Sequence, residues 1–242
     1  MKPPSLILVA SLAACGGTSS SQEPDALLAD DAPPAIDASV DASPTDRTTD
    51  DFERATLGPN WEVVYPPAPN DQVRIINNSD LGMGPGPQGF FLVNRILPVF
   101  AADQFCEATI PTAVTAGWAH QVYVRWRASD RARYGFGYDN DPNQAQFGSW
   151  YFKYDGVPGP QTRYFATTPA TVTPVPGDTL RVEIRGYTLR GYLNGTKVLE
   201  ATDTDATKIA NGVPGLAARW ANGNTQTTTA VTVWESWAGG SL

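Results

Sequence analysis

The sequence contains aromatic and arginine side chains of the kind that bind carbohydrate. Sugar rings stack their C–H faces on flat aromatic rings, and arginine beside them donates hydrogen bonds to hydroxyl groups. The candidate ligand-binding residues are Tyr123, Arg125, Arg127, Tyr134, Trp150 and Tyr151. Two alternatives are open. Trp150 can instead fill a protein core, and the side of the chain that carries Tyr123 and both arginines can be an ordinary solvated surface.

A turn that contains Asp139, Asn140 and Asp141 gathers oxygen atoms of the kind that bind Ca²⁺. The spacing of these donors is not that of an EF-hand, and Asp and Asn are also common in ordinary turns. Calcium is therefore the one cofactor that the sequence suggests, and an ordinary turn is the alternative.

No arrangement of residues in the sequence predicts catalysis. The glutamates are scattered singly, and Glu183 lies between Arg181 and Arg185, which favours a surface ladder of ion pairs. The one histidine, His120, is not accompanied by a serine elbow, and His and Cys do not cluster as a transition metal requires. We therefore expect a protein that is not an enzyme.

Residues 1–14 have the layout of an export signal: one positive charge, an apolar run from Leu6 to Leu12, and two alanines before Cys15. The apolar run is too short to span a bilayer, which needs roughly 20 residues. The tetrapeptide LAAC that ends at Cys15 resembles the lipobox of bacterial lipoproteins. The resemblance implies that Cys15 is acylated, and Gly16 after it implies the outer membrane of a Gram-negative cell. An ordinary cleaved signal peptide is the alternative.

An acidic segment follows this cysteine. Residues 16–51 contain nine carboxylates and one base, interleaved with Ala, Pro and Ser, whereas the residues after them are close to neutral. Such a segment cannot bury enough apolar surface to offset its chain entropy. We therefore divide the chain into a signal peptide at 1–14, a disordered linker at 15–49 and a folded domain at 50–242.

Short strand-like stretches recur through this domain between turns rich in Gly, Pro and Asn, and helical periodicity is nearly absent. The clearest stretch is 121–128, in which Val122, Val124 and Trp126 point to one side and Tyr123 points to the other. Many strands at this spacing predict an all-β sandwich or jelly roll.

Cys106 alternates with Ala108 and Ile110 in another strand-like stretch. If Cys15 is acylated, it cannot form a disulfide, so Cys106 is left without a cysteine partner. Because its neighbours on the same side are apolar, we expect Cys106 to be a buried packing residue and not a reactive thiol.

Two further stretches have a distinctive pattern. The stretch DTLRVEIRGYTLRGYLNGTKVLEAT at 178–202 predicts a three-stranded antiparallel meander with a tight turn at Asn194-Gly195, and the domain opens with TDDFERATLGPNWEV at 49–63. Together they resemble the concanavalin A-like lectin and glucanase superfamily, which includes LamG-like domains. The resemblance implies a jelly-roll sandwich of two antiparallel sheets, with the first strand near Asp51-Phe52 beside the last strand near Trp237. Laminarinase-type hydrolases of the superfamily carry two glutamates flanking an aspartate on one strand, a pattern that this sequence lacks.

Together these features predict a lipid-anchored envelope protein whose lectin-like domain binds a polysaccharide or glycan without catalysis. An atypical glycoside hydrolase and a structural or protein-interaction module of the envelope are the two alternatives. The lipid anchor implies the membrane as a second partner. Nucleic acid is not expected, because the domain is nearly neutral and has no basic cluster beyond 125–133. The sequence does not specify an oligomeric state.

Overall fold

The computed structural model describes residues 46–65, 73–83, 90–111, 118–140, 145–156, 161–220 and 231–242. Within these ranges every regular element is a β-strand, so the predicted all-β class is confirmed. The same ranges contain no helix that is long and apolar enough to cross a membrane. The predicted signal peptide, Cys15, most of the linker and Asp141 lie outside the described residues.

The strands are numbered here in chain order. They are β1 (Asp46–Asp50), β2 (Trp61–Tyr65), β3 (Val73–Ile76), β4 (Asp80–Met83), β5 (Phe90–Arg95), β6 (Gln104–Thr109), β7 (Trp118–Trp126), β8 (Arg133–Asp139), β9 (Ser149–Gly156), β10 (Gln161–Pro169), β11 (Thr179–Arg185), β12 (Thr188–Leu193), β13 (Thr196–Thr202), β14 (Val213–Trp220), β15 (Val231–Trp234) and β16 (Ser236–Ser241).

Two large antiparallel sheets form a sandwich, as predicted. The six-stranded sheet has the order β1-β16-β6-β11-β12-β13, and the seven-stranded sheet has the order β10-β9-β8-β7-β14-β5-β2. A third sheet, β15-β4-β3, is an addition that the sequence does not predict. The first and last strands are neighbours, as the resemblance implies, with Asp50 opposite Trp237. The first strand begins at Asp46, inside the segment assigned to the linker, and ends before Asp51.

The core fills the space between the two large sheets. Residues of a strand alternate between this inner side and an outer side, so every second side chain enters the core. Cys106 and Val182 of the six-stranded sheet belong to one buried cluster with Val122, Phe136 and Phe152 of the seven-stranded sheet. The outer face of each large sheet is left for contacts other than this packing.

The Cys106 thiol is fully enclosed in this core, which confirms the prediction from its apolar neighbours. Its sulfur accepts a hydrogen bond from Trp237 Nε1 at 3.2 Å and donates one to the Gly215 carbonyl oxygen at 3.2 Å. Burial raises the pKa of the thiol to about 12. Because the thiolate is the reactive form, we expect Cys106 to react slowly with thiol reagents in the folded protein.

Strands β11, β12 and β13 form the predicted meander. Asn194 and Gly195, at the second turn, have φ angles of 50° and 76°, as a type I′ turn requires. On the outer side of β11, a nitrogen of Arg181 lies 2.6 Å from a carboxylate oxygen of Glu183, and Arg181 also pairs with Glu107 at 3.2 Å. The predicted ion pairing of Glu183 with Arg181 is therefore confirmed, but Glu183 is only 5% exposed, so the expectation that the pair lies on the open surface is wrong.

The alternation of β7 breaks at Arg125, and this break corrects one prediction. Gly215 of β14 stands opposite Tyr123, but Val213 stands opposite Trp126, so β7 has one extra residue at this point. Arg125 has a φ angle of 55°, which fits a β-bulge. The bulge turns Trp126 to the side of Tyr123, away from Val122, so the expectation that Trp126 shares the face of Val122 is wrong.

Candidate functional site

A cluster of polar and aromatic side chains lies on the outer face of the seven-stranded sheet. Strand pairing places Gln121 of β7, Asp139 of β8, Tyr151 and Lys153 of β9, and Tyr164 of β10 on this face. They surround a small cavity of about 50 Å³, hereafter the outer-face recess. The recess is lined by Ala119, Gln121, Asp139, Tyr151, Lys153, Tyr164 and Ala218.

Two glycines of β8 let neighbouring side chains lie across that strand. Gly137 stands opposite both Gln121 and Tyr151 in the strand pairing. A Cβ at Gly135 would lie 2.0 Å from Gln121 Nε2, and a Cβ at Gly137 would lie 2.7 Å from the Tyr151 hydroxyl oxygen. Both positions therefore require glycine, because the Cβ of any other residue would displace the side chain of Gln121 or Tyr151.

Gln121 is the most unusual residue of the recess. Its side chain is buried, with 2% of the residue exposed, and neither its Nε2 nor its Oε1 has a hydrogen-bond partner among the described residues. A buried polar group that lacks a partner costs about 1–3 kcal/mol, and nearly all such groups in native proteins find one. A carboxamide offers two N–H donors and an acceptor oxygen, so two adjacent hydroxyl groups can satisfy it.

Lys153 is held at the recess by Asp155, two residues further along β9. Asp155 lies 2.9 Å from Lys153 Nζ and 2.8 Å from a nitrogen of Arg133, and it accepts a 2.7 Å hydrogen bond from Thr162. Burial alone would raise the pKa of Asp155, but the positive charges of Lys153 and Arg133 outweigh this effect and lower the pKa. Asp155 is therefore ionised at neutral pH, and it fixes the position of a cation beside Gln121.

Two tyrosines give the recess an aromatic wall. The rings of Tyr151 and Tyr164 meet edge to face, with centroids 5.4 Å apart and an interplanar angle of 82°. Tyr151 is 4% exposed, whereas Tyr164 is only partly buried. The ring of Tyr164 therefore offers accessible aromatic surface next to the polar groups.

Of the six residues predicted to bind ligand, the structure places Tyr151 in the recess. Trp150 and Tyr134 point to the opposite side of the sheet and lie in the core, which corrects the prediction for both. Trp150 stacks on Phe136 with ring centroids 5.4 Å apart and planes 10° apart. The Tyr134 hydroxyl donates to Asp203 at 2.8 Å. The reason is alternation: because Tyr151 faces outward, its neighbour Trp150 must face inward.

The other three predicted residues do not line the recess either. Tyr123 and Arg125 are buried, which corrects the predicted surface for those two, whereas Arg127 is partly exposed and its role in ligand binding stays a prediction. Tyr123 is on the outer face but fully buried beneath the Arg133 guanidinium, and its hydroxyl donates to backbone and side-chain oxygens of β5. Arg125 is buried at the bulge and donates to the carbonyl oxygens of residues 102 and 209 at 2.8 Å each. Arg127 pairs with Asp130 at 2.9 Å.

The three residues of the predicted calcium turn are separated by the structure. Asp139 is buried at the recess, Asn140 follows β8 and is partly buried, and Asp141 lies outside the described residues. Within the described ranges, no three side chains of His, Cys, Asp or Glu are grouped so that they could hold a metal ion. Calcium binding at this turn stays a prediction.

The carboxylates that strand pairing places on this face are far apart. Asp139 stands opposite Ser149, whereas Asp155 stands opposite Arg133 at the other end of the same two strands. Six residues at 3.3 Å each separate the two carboxylates by about 20 Å. Glycoside hydrolysis uses pairs about 5–9.5 Å apart. Glu62 lies on β2, at the far edge of the sheet.

Sequence reasoning missed Gln121 and Lys153, and it did not include Tyr164 among the candidate ligand-binding residues. The signal that was available is the pair Gly135 and Gly137, because two glycines on one face of a strand mark a place where neighbouring groups approach closely. The face of the sheet on which Tyr164 lies was harder to predict, because β10 has no clear alternation of apolar and polar residues.

Known proteins match this chain in fold only. No protein-family model matches the sequence, and no curated protein is similar to it in sequence. A Bacillus subtilis protein of unknown function with a galectin-like fold matches with a TM-score of 0.52 and 12% identity, over 78% of this chain and 96% of that one. An immunostimulatory antigen and pseudo β-1,3-glucanase of Mycobacterium tuberculosis matches with a TM-score of 0.51 and 13% identity, over 81% and 98%. The β-glucanase of Bacillus licheniformis matches with a TM-score of 0.50 and 10% identity, again over 81% and 98%. What the chain shares with these proteins is the fold, a jelly-roll β-sandwich of two antiparallel sheets.

Proposed function

We propose that this domain binds carbohydrate at the outer-face recess and does not hydrolyse it. The observation that carries the proposal is the buried carboxamide of Gln121, which has no partner among the described residues and lies beside two tyrosines. The hydrogen-bonding groups of this carboxamide can be satisfied once two adjacent ligand hydroxyls enter the recess. The jelly-roll fold supports the proposal because glucanases are built on it.

The size of the recess indicates which part of a sugar would enter it. About 50 Å³ is space for a few water-sized groups and not for a whole sugar ring. In our proposal the edge of a ring places neighbouring hydroxyl groups on Gln121, while Lys153 and Asp139 bind further hydroxyls. The accessible ring of Tyr164 packs against a C–H face, and the rest of the glycan lies across the outer face.

Binding without hydrolysis is favoured by the placement of the carboxylates. A hydrolase needs one carboxylic acid that can give a proton, and a second carboxylate within about 9.5 Å of it. Asp155 is held ionised by Lys153 and Arg133, and Asp139 lies on the same face about 20 Å away. Release of reducing ends from any glycan by the purified protein would favour the alternative of an atypical hydrolase.

We further propose that the domain is tethered to the outer membrane through Cys15. The support is the tetrapeptide LAAC, and the acidic linker after it, whose self-repulsion would hold the domain away from an anionic surface. Cys15→Ser is expected to leave the precursor without acyl groups. Mass spectrometry of the membrane fraction tests this, and a wild-type mature chain without acyl groups would contradict it.

The glycan-binding proposal is tested by replacing Gln121 and a matched glutamine. Gln104 is also fully buried, but its nitrogen donates to the carbonyl oxygens of residues 101 and 212 at 2.8 and 3.0 Å, and its oxygen accepts from the Arg125 N–H at 3.1 Å. Gln121→Leu is expected to weaken glycan binding about fivefold or more, which corresponds to about 1 kcal/mol, without loss of stability. Gln104→Leu is expected to lower stability and to leave binding by the folded protein unchanged.

The measurement is a glycan array with the full-length chain, followed by calorimetry on the glycans that bind and by urea unfolding of each variant. Unchanged affinity of Gln121→Leu would remove the recess from consideration. A wild-type chain that binds no glycan on the array would contradict the function itself.

A further inference from the structure

A second and much larger cavity lies at the edge of the six-stranded sheet. Its volume is about 550 Å³, and it is bounded by β1, β16, β6 and the segment 51–60 that follows β1. Small-molecule sites in proteins have volumes of about 300–1,000 Å³, so this cavity can take whole sugar rings, which the outer-face recess cannot. The two cavities share no lining residue.

One wall of the cavity is fixed by Asp50. Its carboxylate accepts hydrogen bonds from the Phe52 backbone N–H at 3.0 Å, Trp61 Nε1 at 2.7 Å, Arg54 Nη2 at 2.9 Å and Arg95 Nη1 at 3.0 Å. Burial alone would raise the pKa of Asp50, but these donors together lower it. The carboxylate is therefore ionised and has its acceptor positions occupied, so it shapes the cavity and is not available to a ligand.

Both carboxylate oxygens of Glu107 are likewise engaged in ion pairs within the chain. One of its oxygens pairs with Arg47 at 2.9 Å and the other with Arg181 at 3.2 Å. Three cationic and three anionic side chains line the cavity, so their formal charges cancel. A cavity with balanced charge has no net electrostatic attraction for an ion of either sign.

The groups left for a ligand are four neutral polar side chains and one carboxylate. Thr49, Asn60, Thr109 and Ser236 line the cavity together with the exposed carboxylate of Asp51. The Ser236 hydroxyl donates to Thr109 Oγ1 at 3.0 Å, so these two hydroxyl groups form a row across β16 and β6. Each hydroxyl both donates and accepts hydrogen bonds, and so does each hydroxyl of a sugar.

From this lining we propose that the cavity is a second binding site and that its ligand is a neutral saccharide. The proposal stands on residues of β1, β6, β16 and the segment 51–60, and it does not depend on the recess. With the recess on the outer face of the other sheet, the domain would have two separate sites for carbohydrate. A polysaccharide that reaches both sites, or two domains on one polysaccharide, would then be held by avidity without any further contact.

The test is hydrogen–deuterium exchange of the full-length chain with saturating glucose, galactose, mannose and xylose, each also as its β-linked disaccharide, and with glucuronate as the charged comparison. At least one neutral sugar is expected to slow exchange in 46–60 and 236–241. The double variant Thr49→Val, Ser236→Val is expected to raise the sugar concentration needed for half-maximal protection about tenfold. Gln121→Leu serves as the matched control and is expected to leave this protection unchanged.

Each outcome supports or overturns the second site. Protection confined to β8–β10 would overturn the second site and would still be consistent with binding at the outer-face recess. Protection at 46–60 that survives in the double variant would show that the residues assigned to the second site are wrong. Stronger protection by glucuronate than by every neutral sugar would overturn the chemical class. If the double variant loses its fold, Asp51→Ala, which changes one exposed side chain, gives the same comparison.

Discussion

Asp50 and Gln121 are both buried polar residues, and they differ in what surrounds them. The carboxylate of Asp50 accepts hydrogen bonds from a backbone N–H, an indole and two guanidinium groups, whereas the carboxamide of Gln121 has no partner among the described residues. A group whose bonds are all made within the chain stabilises the fold. A buried group whose bonds are not made is destabilising until something else makes them. By this criterion the groups around Asp50 form a structural cluster, whereas Gln121 marks a candidate binding site.

The Asp50 cluster also joins distant parts of the chain. The Arg95 guanidinium lies 5.4 Å from the ring centres of both Trp61 and Trp237, and the two indoles meet edge to face with centroids 5.2 Å apart. Asp50 binds both Arg95 and Trp61. This cluster therefore fastens the first strand to β2, β5 and the last strand, which gives a structural reason for the residues that open the domain.

The largest effect is expected from Asp50→Ala. Removing this carboxylate leaves Arg95 buried without its partner, and breaking a buried ion pair in this way costs about 3–5 kcal/mol. Asp51→Ala, one residue along, is the control, because Asp51 is exposed and its carboxylate makes one local hydrogen bond, to the Glu53 N–H. Urea unfolding of both variants measures the difference. Equal losses of stability would show that the Asp50 cluster is not a structural centre.

Trp150→Ala and Tyr151→Ala extend the comparison to two adjacent residues of β9. Trp150 fills the core beside Phe136, so its truncation is expected to cost about 3–5 kcal/mol of stability. Tyr151 lines the recess but is only 4% exposed, so its truncation is expected to weaken glycan binding by removing a wall of the recess and also to cost about 2–5 kcal/mol of stability. Thermal unfolding and calorimetry on both variants separate the two effects. Loss of glycan affinity in folded Trp150→Ala alone would reverse the assignment of the two faces.

The parts of the fold that the sequence predicts are those decided by neighbours in the chain. The turn at Asn194-Gly195 follows from two residues that tolerate positive φ, and the burial of Cys106 follows from alternation within one strand. The bulge at Arg125 is different, because it depends on how β7 pairs with β14. That one extra residue is why Trp126 faces the side opposite to the predicted one.

The recess could not be predicted as a unit because five strands assemble it. Its lining residues Gln121, Asp139, Tyr151, Tyr164 and Ala218 come from β7, β8, β9, β10 and β14, and strand order cannot be read from any one stretch of sequence. The Asp50 cluster has the same limit, because Asp50 and its partner Arg95 lie 45 positions apart in the sequence. The aromatic residues of β9 were visible in the sequence, but the side that each one faces depends on register.

His120 adds a third buried polar group to the comparison, on the inner side of β7 next to Gln121. Burial lowers its pKa to about 4, from an ordinary value of 6.5. His120 therefore binds a proton below pH 6.5 in the unfolded chain, whereas in the folded protein it binds one only below about pH 4. The stability of the fold is expected to fall by about 3 kcal/mol as the pH drops through this window.

Urea unfolding between pH 7 and pH 4 measures this loss, and His120→Gln is expected to flatten the dependence. The pKa of Asp50 lies below its ordinary value of 3.8, so its protonation contributes only at lower pH. The same slope in wild type and variant would show that another group causes the loss.

The smallest change in stability, with a clear change in binding, is expected from Gly135→Ala. The new Cβ would lie 2.0 Å from Nε2 of Gln121 and 2.6 Å from its Cδ, which are the far atoms of a flexible side chain. The carboxamide can swing aside, so the free energy of unfolding is expected to change by less than about 1 kcal/mol. The displaced carboxamide would then occupy the recess, and glycan affinity should fall as it does in Gln121→Leu.

Gly137→Ala is the matched control, because its Cβ would lie 2.5 Å from the His120 carbonyl oxygen, a backbone atom that cannot swing aside. That variant should lose more stability than Gly135→Ala. Glycan affinity that stays at the wild-type level in Gly135→Ala, measured by calorimetry on the folded protein, would mean that the position of Gln121 does not decide binding.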